Sequence, residues 1–409
     1  MQATSVKIAV YENLPPGGAL RTSFEIGREL IARGHEIDLF RLSTYADKGS
    51  MDLAPLAHHT EVLTYRPLQG AIDSRLREGH LAPRSYTLFR PLERLHKQLA
   101  ERIKSGGYDA VLLHPDAMTG APHVLRWLDG VPTVYYCQEP PRFAQEQSVL
   151  EQHRRNLASS PGIVGPLRVF EDTFVLGRLA RADRENARHA QVLCVNSVYS
   201  RERVWAAYER DAAVCYLGID ADRFKPANPP GERRREALSL GAPIEAKGHE
   251  MIIDALSGLE PRLALRVVLP RSAKPSRLEA AARSHDVELI VETGLPEAVV
   301  IDRYQRALVT VCAGRLEPFG LTPIESFACG TPVVAIREAG YRESVVDGVS
   351  GLLVEPDARS IRDGITKLVA DPALAARMGQ AGRQDVVKRW TWSRTAGQME
   401  SILQSIARN

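Results

Sequence analysis

The stretch Leu308-Val-Thr-Val-Cys312-Ala-Gly-Arg315-Leu-Glu317-Pro-Phe319-Gly320-Leu321-Thr322-Pro323-Ile-Glu325-Ser-Phe-Ala-Cys-Gly330-Thr-Pro-Val-Val334 decides how this 409-residue chain is read. Its first five residues are apolar or β-branched and read as a buried strand. A glycine loop carrying Glu317 and Gly320 follows. A helix then starts with Thr322 as the expected N-cap and Pro323 in its first turn, where a missing N–H costs nothing. Gly330 ends the helix, and the next strand opens at Thr331. Free backbone N–H groups at a helix start, beside a glycine loop at a strand's carboxyl end, form an anion site suited to a diphosphate. A second reading stands beside this one. Thr322-x-x-Glu325 also fits a capping box, in which Glu325 merely ties up the helix start, and Glu317 alone would be an ordinary solvated charge.

The same rhythm extends in both directions. Residues 7–11 read as a strand, followed by a Pro-Pro-Gly-Gly loop at 15–18 and a helical stretch over 21–33 that Gly34 stops. Further strands are predicted at 37–40, 62–65, 110–114, 133–137 and 192–196. A seam at 218–231, with Pro226, Pro229, Pro230 and Gly231, leads into the basic run 233–235 and reads as an exposed linker. Strands resume at 238–240, 265–269, 288–291, 308–312, 333–336 and 352–354. Short strands alternating with amphipathic helices predict two doubly wound, parallel α/β domains with a ligand cleft at the carboxyl ends of the strands.

Composition narrows the function. The 53 basic and 50 acidic residues are interspersed, with 24 basic and 22 acidic side chains in residues 1–200, so neither half is a polycation suited to nucleic acid. Only nine residues are Lys, which makes each one worth inspecting. The five Cys (137, 194, 215, 312 and 329) lie in apolar runs without a CxxC pair, as expected for buried thiols in a reducing cytosol rather than disulfides or a metal centre. No apolar run approaches the roughly 20 residues of a membrane span. The chain as given reaches a strand at Lys7, so no signal peptide is expected. A cytoplasmic two-domain enzyme is the default expectation.

The spacing Glu317-x7-Glu325, within 18 nearly continuous residues, closely resembles the E-x7-E signature of retaining glycosyltransferases of family four, the group 1 enzymes with the GT-B fold. Gly17-Gly18 resembles that family's glycine loop after the first strand. Asn196-Ser197 and Leu217-Gly-Ile-Asp220 through Phe224 resemble its domain junction. Lys247-Gly248-His249-Glu250 resembles its donor-site lysine segment, and Glu338-Ala-Gly340 through Glu343 the segment after the signature helix. The resemblance covers nearly the whole chain, most weakly at 45–105 and 140–190. It implies two facing Rossmann-like domains with an interdomain cleft: 1–217 on the acceptor side, 218–385 for the nucleotide-sugar, and 386–409 as a helix crossing back.

By position, the resemblance places Glu317 beside the donor sugar and Glu325 on the nucleotide ribose. Phe319 and the backbone around Gly320, Leu321 and Thr322 would face the phosphates, with Lys247 pairing the diphosphate as charge builds on the leaving group. Gly17 and Gly18 would let backbone approach the phosphates; on their own they are an ordinary βα turn. The implied reaction moves a sugar from a nucleoside-diphosphate sugar to a hydroxyl acceptor with retention, with no cofactor beyond that donor and no metal ligands. A GT-B glycoside phosphorylase and a catalytically weakened nucleotide- or sugar-binding partner subunit are the alternatives.

Two departures stand out. The family usually carries Gly-Arg ahead of the lysine, where this chain has Gly241-Ala242-Pro243. Losing a charge-assisted contact of ~1.5–3 kcal/mol weakens transition-state binding roughly ten- to hundredfold unless replaced, with Arg271, Lys274 or Arg315 as candidates. The family also commonly places a His after the strand at 133–137, where Gln138 stands; glutamine hydrogen-bonds a sugar hydroxyl but is no acid or base. His114, at the end of the preceding strand, is a candidate for the same cleft, or else a strand-end histidine bonded to backbone. His35 and His249 read as structural. Residues 66–105 carry nine basic against four acidic side chains, with Tyr86, Phe89 and Leu92 interleaved. That pattern reads as a solvated helical face or as peripheral contact with the inner, anionic membrane face. Trp390 and Trp392 read as packing anchors.

Overall fold

The computed structural model describes residues 5–45, 49–65, 84–144, 151, 164–229 and 231–407. Of the predicted features, 66–83 and Pro230 lie outside these residues, as do the side chains of Tyr86 and Phe89. The chain divides into two compact units: Met1–Asn196 with Ser200–Cys215 and Ala396–Asn409, and Ser197–Tyr199 with Tyr216–Thr395.

The first unit holds strands β1 (Lys7–Asn13), β2 (Glu36–Leu42), β3 (His59–Leu63), β4 (Ala110–Asp116), β5 (Thr133–Tyr136), β6 (Val192–Val195) and β7 (Ala213–Val214), in the order 3-2-1-4-5-6-7. All neighbours pair in parallel. Central strands of a parallel sheet lie between two helical layers, which is why β1 and β4 are apolar runs rather than alternating ones. The helix Gly18–Ala32 ends before Gly34, whose φ of 91° supplies the left-handed stop that the sequence requires. β3 begins three residues earlier than the expected 62–65. It is an edge strand, registered Asp38 to His59 through Leu42 to Leu63, and its half-exposed residues give only a weak apolar signal.

The second unit repeats the winding with β8 (Arg234–Leu240), β9 (Ala264–Leu269), β10 (Leu289–Thr293), β11 (Ala307–Cys312), β12 (Val333–Ile336) and β13 (Gly351–Val354), in the order 10-9-8-11-12-13. Here the linker reading of 233–235 is corrected. Arg234 and Arg235 begin β8, and the Arg233 guanidinium donates to Ala307 O at 2.6 Å and to Thr331 Oγ1 and Gly330 O at 2.7 Å. A planar fork of donors is thus consumed by strand-end acceptors, a use that composition does not reveal. Trp390 and Trp392 are buried. Trp390 meets Phe319 edge-on at 5.3 Å and Tyr216 at 5.2 Å, and its indole N–H donates to Asp385. All five cysteines are buried free thiols.

Candidate active site

In the second unit the strand order reverses between β8 and β11, and the rule for open α/β sheets places a ligand at the carboxyl ends of those two strands. A small cleft lies there, lined among others by Lys247, Cys312, Gly314, Glu317, Thr322 and Tyr341. After β8 the chain makes a tight turn over Glu245–Lys247 and passes through Gly248, at φ 67°, into the helix His249–Leu256. A side chain at position 248 would place its Cβ 2.2 Å from Ala313 O, so only glycine lets this turn lie against the loop after β11. The Arg315 amide donates to Ala246 O at 2.8 Å and joins the two loops.

That junction brings Lys247 and Glu317 together, 70 residues apart in sequence. Lys247 Nζ donates to Glu317 Oε2 at 2.7 Å, with both side chains partly exposed to the cleft. Leu316 holds φ at 52°, a left-handed value that costs a non-glycine residue about 1–3 kcal/mol, and it aims the following Glu317 at the lysine. The Gly340 amide then grips Glu317 O at 2.9 Å. Behind the lysine turn, buried His249 pairs Nδ1 with Ser239 Oγ at 3.0 Å; burial lowers its pKa to about 4, so it packs there as a neutral ring.

The signature helix is Leu321–Ala328, with Gly320 at φ 86° as its N-cap. Its N-cap lies two residues before the expected Thr322, which therefore sits inside the first turn and cannot cap it. The capping-box reading is thereby corrected. No side chain caps this end among the described residues, and the nearly buried Glu325 accepts the Tyr304 hydroxyl on Oε2 at 2.7 Å. Burial and Glu325 together push the Tyr304 hydroxyl well above its ordinary pKa, so it stays a donor. Tyr341, against Gly314 and Gly320 in the cleft wall, is likewise raised by burial and by Glu317. An uncapped helix start, a lysine and a carboxylate thus line one concave place; this arrangement can bind an anion and orient a polyol.

Other predicted residues fall differently. Phe319 is buried against Tyr216 and Trp390, so its side chain anchors the loop instead of lining the cleft. Arg271 is exposed after β9, with its Cβ against Gly294, and is not among the cleft-lining residues. Arg315 is engaged by Glu338. In the first unit, Gln138 Nε2 donates to Ala19 O at 3.3 Å, which places it beside the Gly17–Gly18 turn that starts the first helix. A Cβ at Gly17 would meet nothing within 4 Å, so packing within the chain does not demand that glycine. His114 is fully buried edge-on to Tyr136, and neither ring nitrogen has a hydrogen-bond partner among the described residues. Burial lowers its pKa to about 3 and keeps it neutral.

Sequence reasoning missed a second constellation. At the carboxyl ends of β1 and β4, where the first unit's order reverses, the Tyr11 hydroxyl donates to Asp116 Oδ2 at 2.6 Å and lies 3.0 Å from His96 Nε2. Asn13 Nδ2 donates to the same carboxylate oxygen, and the Met118 amide to the other. Asp116, His96 and Tyr11 share no local motif, so only an unusually polar end to two strands hinted at them. The one three-residue group of potential metal ligands among the described residues, Glu36, Asp38 and His58, lies at the opposite, amino-terminal end of β2.

Residues 220–385 match the family model described as glycosyl transferases group 1. A GDP-mannose-dependent alpha-(1-6)-phosphatidylinositol monomannoside mannosyltransferase of Mycolicibacterium smegmatis is 32% identical over 54% of this chain, which spans 64% of that protein's length. A D-inositol 3-phosphate glycosyltransferase of Nocardiopsis dassonvillei is 27% identical over 92% of this chain and 87% of its own. Among solved structures, sucrose-phosphate synthase from Thermosynechococcus elongatus superposes with a TM-score of 0.70 over 98% of both chains at 19% identity. The match over 220–385 covers the second unit's sheet and its cleft, and with its two parallel sheets and this superposition the chain has the GT-B fold.

Proposed function

We propose that the protein is a retaining glycosyltransferase that moves a sugar from a nucleoside-diphosphate sugar to a hydroxyl acceptor. The observation that carries this reading is the Lys247–Glu317 pair beside the uncapped start of Leu321–Ala328, at the second unit's topological switch point. In this reading the amides at Leu321 and Thr322 hold the diphosphate with the helix dipole behind them. Lys247 leaves Glu317 for the leaving phosphate as negative charge grows there, and Glu317 turns to the donor sugar as a charge-stabilising and positioning group. Glu325, held by Tyr304, takes the ribose hydroxyls. The transition state is oxocarbenium-like, and the leaving phosphate assists removal of the acceptor proton, as the family resemblance implies. Gln138 and the Gly17–Gly18 turn serve the acceptor side.

The mannosyltransferase relative is named for GDP-mannose and phosphatidylinositol monomannoside. A guanine donor and a membrane-borne polyol acceptor are therefore the first to try. No helix among the described residues is long and apolar enough to cross a membrane. A thermal-shift panel of GDP, UDP, ADP, dTDP and phosphate tests the donor half: a ligand at 100 times its Kd adds ~2.7 kcal/mol of stability. Glu325→Ala is expected to abolish the nucleotide shift, whereas Glu317→Ala keeps it and loses turnover. A wild-type protein indifferent to all four nucleotides would refute the reading.

A further inference from the structure

We propose that Glu338 is a positioning residue that sets the catalytic geometry of Glu317 by clamping the backbone in front of it. The inference rests on the reading of the cleft as a nucleotide-sugar site. Glu338 does not line the cleft, yet it grips the loop that does. Its carboxylate takes the Arg315 guanidinium in a two-point pair, Oε2 to Nε at 2.8 Å and Oε1 to Nη2 at 2.7 Å. The same Oε2 accepts the Leu316 amide at 3.4 Å. These contacts fall on the two residues immediately before Glu317.

The local backbone explains why a clamp is needed. Leu316 sits at φ 52°, where a β-carbon clashes and an unrestrained leucine turns back to negative φ. Such a conformation persists only when neighbours over-determine it. The Arg315 amide is tied to Ala246 O, the Arg315 side chain and the Leu316 amide to Glu338, and Glu317 O to the Gly340 amide. Residues 338–340 therefore hold 315–317 from the outer side, and residue 246 holds them from the lysine side. A Cβ at Gly340 would lie 2.4 Å from Phe319 Cα and Pro318 O, so the grip depends on close backbone approach. If Leu316 relaxed, the Glu317 carboxylate would swing off Lys247. Arg315, a sequence-based candidate for direct diphosphate contact, acts instead as the clamp's other jaw.

The test compares Glu338→Gln, Glu338→Ala, the reversed pair Arg315→Glu with Glu338→Arg, and Glu338→Ala combined with Leu316→Gly. Glu338→Gln is expected to lower kcat at least tenfold while the Kd for the nucleoside diphosphate, measured by calorimetry, stays within twofold. The reversed pair should recover part of that loss. Leu316→Gly should recover several-fold over Glu338→Ala, because glycine adopts the left-handed conformation freely. A crystal structure of Glu338→Ala gives a readout independent of turnover: the proposal requires Glu317 Oε2 to move beyond 4 Å from Lys247 Nζ. An unmoved pair, an unchanged kcat, or equal losses in kcat and nucleotide affinity would each overturn it. Failure of the functional reading itself appears separately, as wild-type protein that binds no nucleotide.

Discussion

The two units wind their sheets in the same order, and the same place in each has been put to opposite use. Between β8 and β11 the strand ends open into a cleft where Lys247 and Glu317 satisfy one another and remain partly exposed. Between β1 and β4 the corresponding place is filled from within. There Asp116 accepts from Tyr11, Asn13 and the Met118 amide, and the buried His96 ring closes the group. Topology thus reserves a position where strand ends diverge, while side chains decide whether it is a ligand site or a polar core. A partly exposed pair can be exchanged for a ligand at modest cost. A network with no solvent access cannot, because each group it loses stays buried and unpaired.

The contrast should be sharpest in acid. His96 and His114 are held neutral by burial with pKa values of about 3, and His123 at about 4, all in the first unit; among the described residues the second unit has one ring so lowered, His249, at about 4. A histidine whose pKa is depressed on folding leaves stability intact above about 6.5. Stability is then lost as pH falls from there toward the folded value, because the unfolded chain binds the proton first. Each fully buried ring costs roughly 3 kcal/mol at pH 4. Asp183, raised to about 6 by burial, works the other way below that pH and offsets part of the loss. The first unit should therefore become protease-sensitive before the second as pH drops from 7 to 4, read by pulse proteolysis of the whole chain with mass spectrometry. Simultaneous loss of both units would break the comparison.

Substitutions at the two switch points should separate chemistry from stability. Lys247→Ala is expected to lower kcat/KM at least a hundredfold, about 3 kcal/mol, with a melting temperature within a few degrees of wild type. Asp116→Ala strands two or three buried donors at roughly 1–3 kcal/mol each and should lower the melting temperature clearly, while nucleotide binding by the second unit persists. Comparable loss of activity and stability in both variants would mean that the two places do the same work. The smallest effect is expected at Arg271, exposed and outside the cleft lining: Arg271→Ala should change the donor KM less than twofold. A tenfold rise would restore it as the substitute for the arginine that Ala242 displaces.

Much of this was legible in order along the chain. The strand–helix alternation, the glycine stop at 34 and the helix between Gly320 and Gly330 all follow from local periodicity and backbone chemistry, which act over a few residues. So does the signature spacing that assigns Glu317 and Glu325 to one short segment. Even here the local rules left a tie, since Thr322-x-x-Glu325 is equally good as a capping box. Only tertiary structure shows that Gly320 takes the N-cap and that Tyr304, on another helix, donates its hydroxyl to Glu325.

Local sequence patterns encode two doubly wound units and the segment that carries the candidate chemistry. Tertiary structure alone decided that Lys247 meets Glu317, that Arg315 answers to Glu338, that Arg233 is spent on carbonyls, and that His114 lies sealed beside Tyr136. The physical reason is distance along the chain. Helix stops, turns and strand patterns are encoded within one or two turns of backbone, whereas pairing and desolvation depend on which remote groups packing brings within about 3–4 Å and how much water it removes.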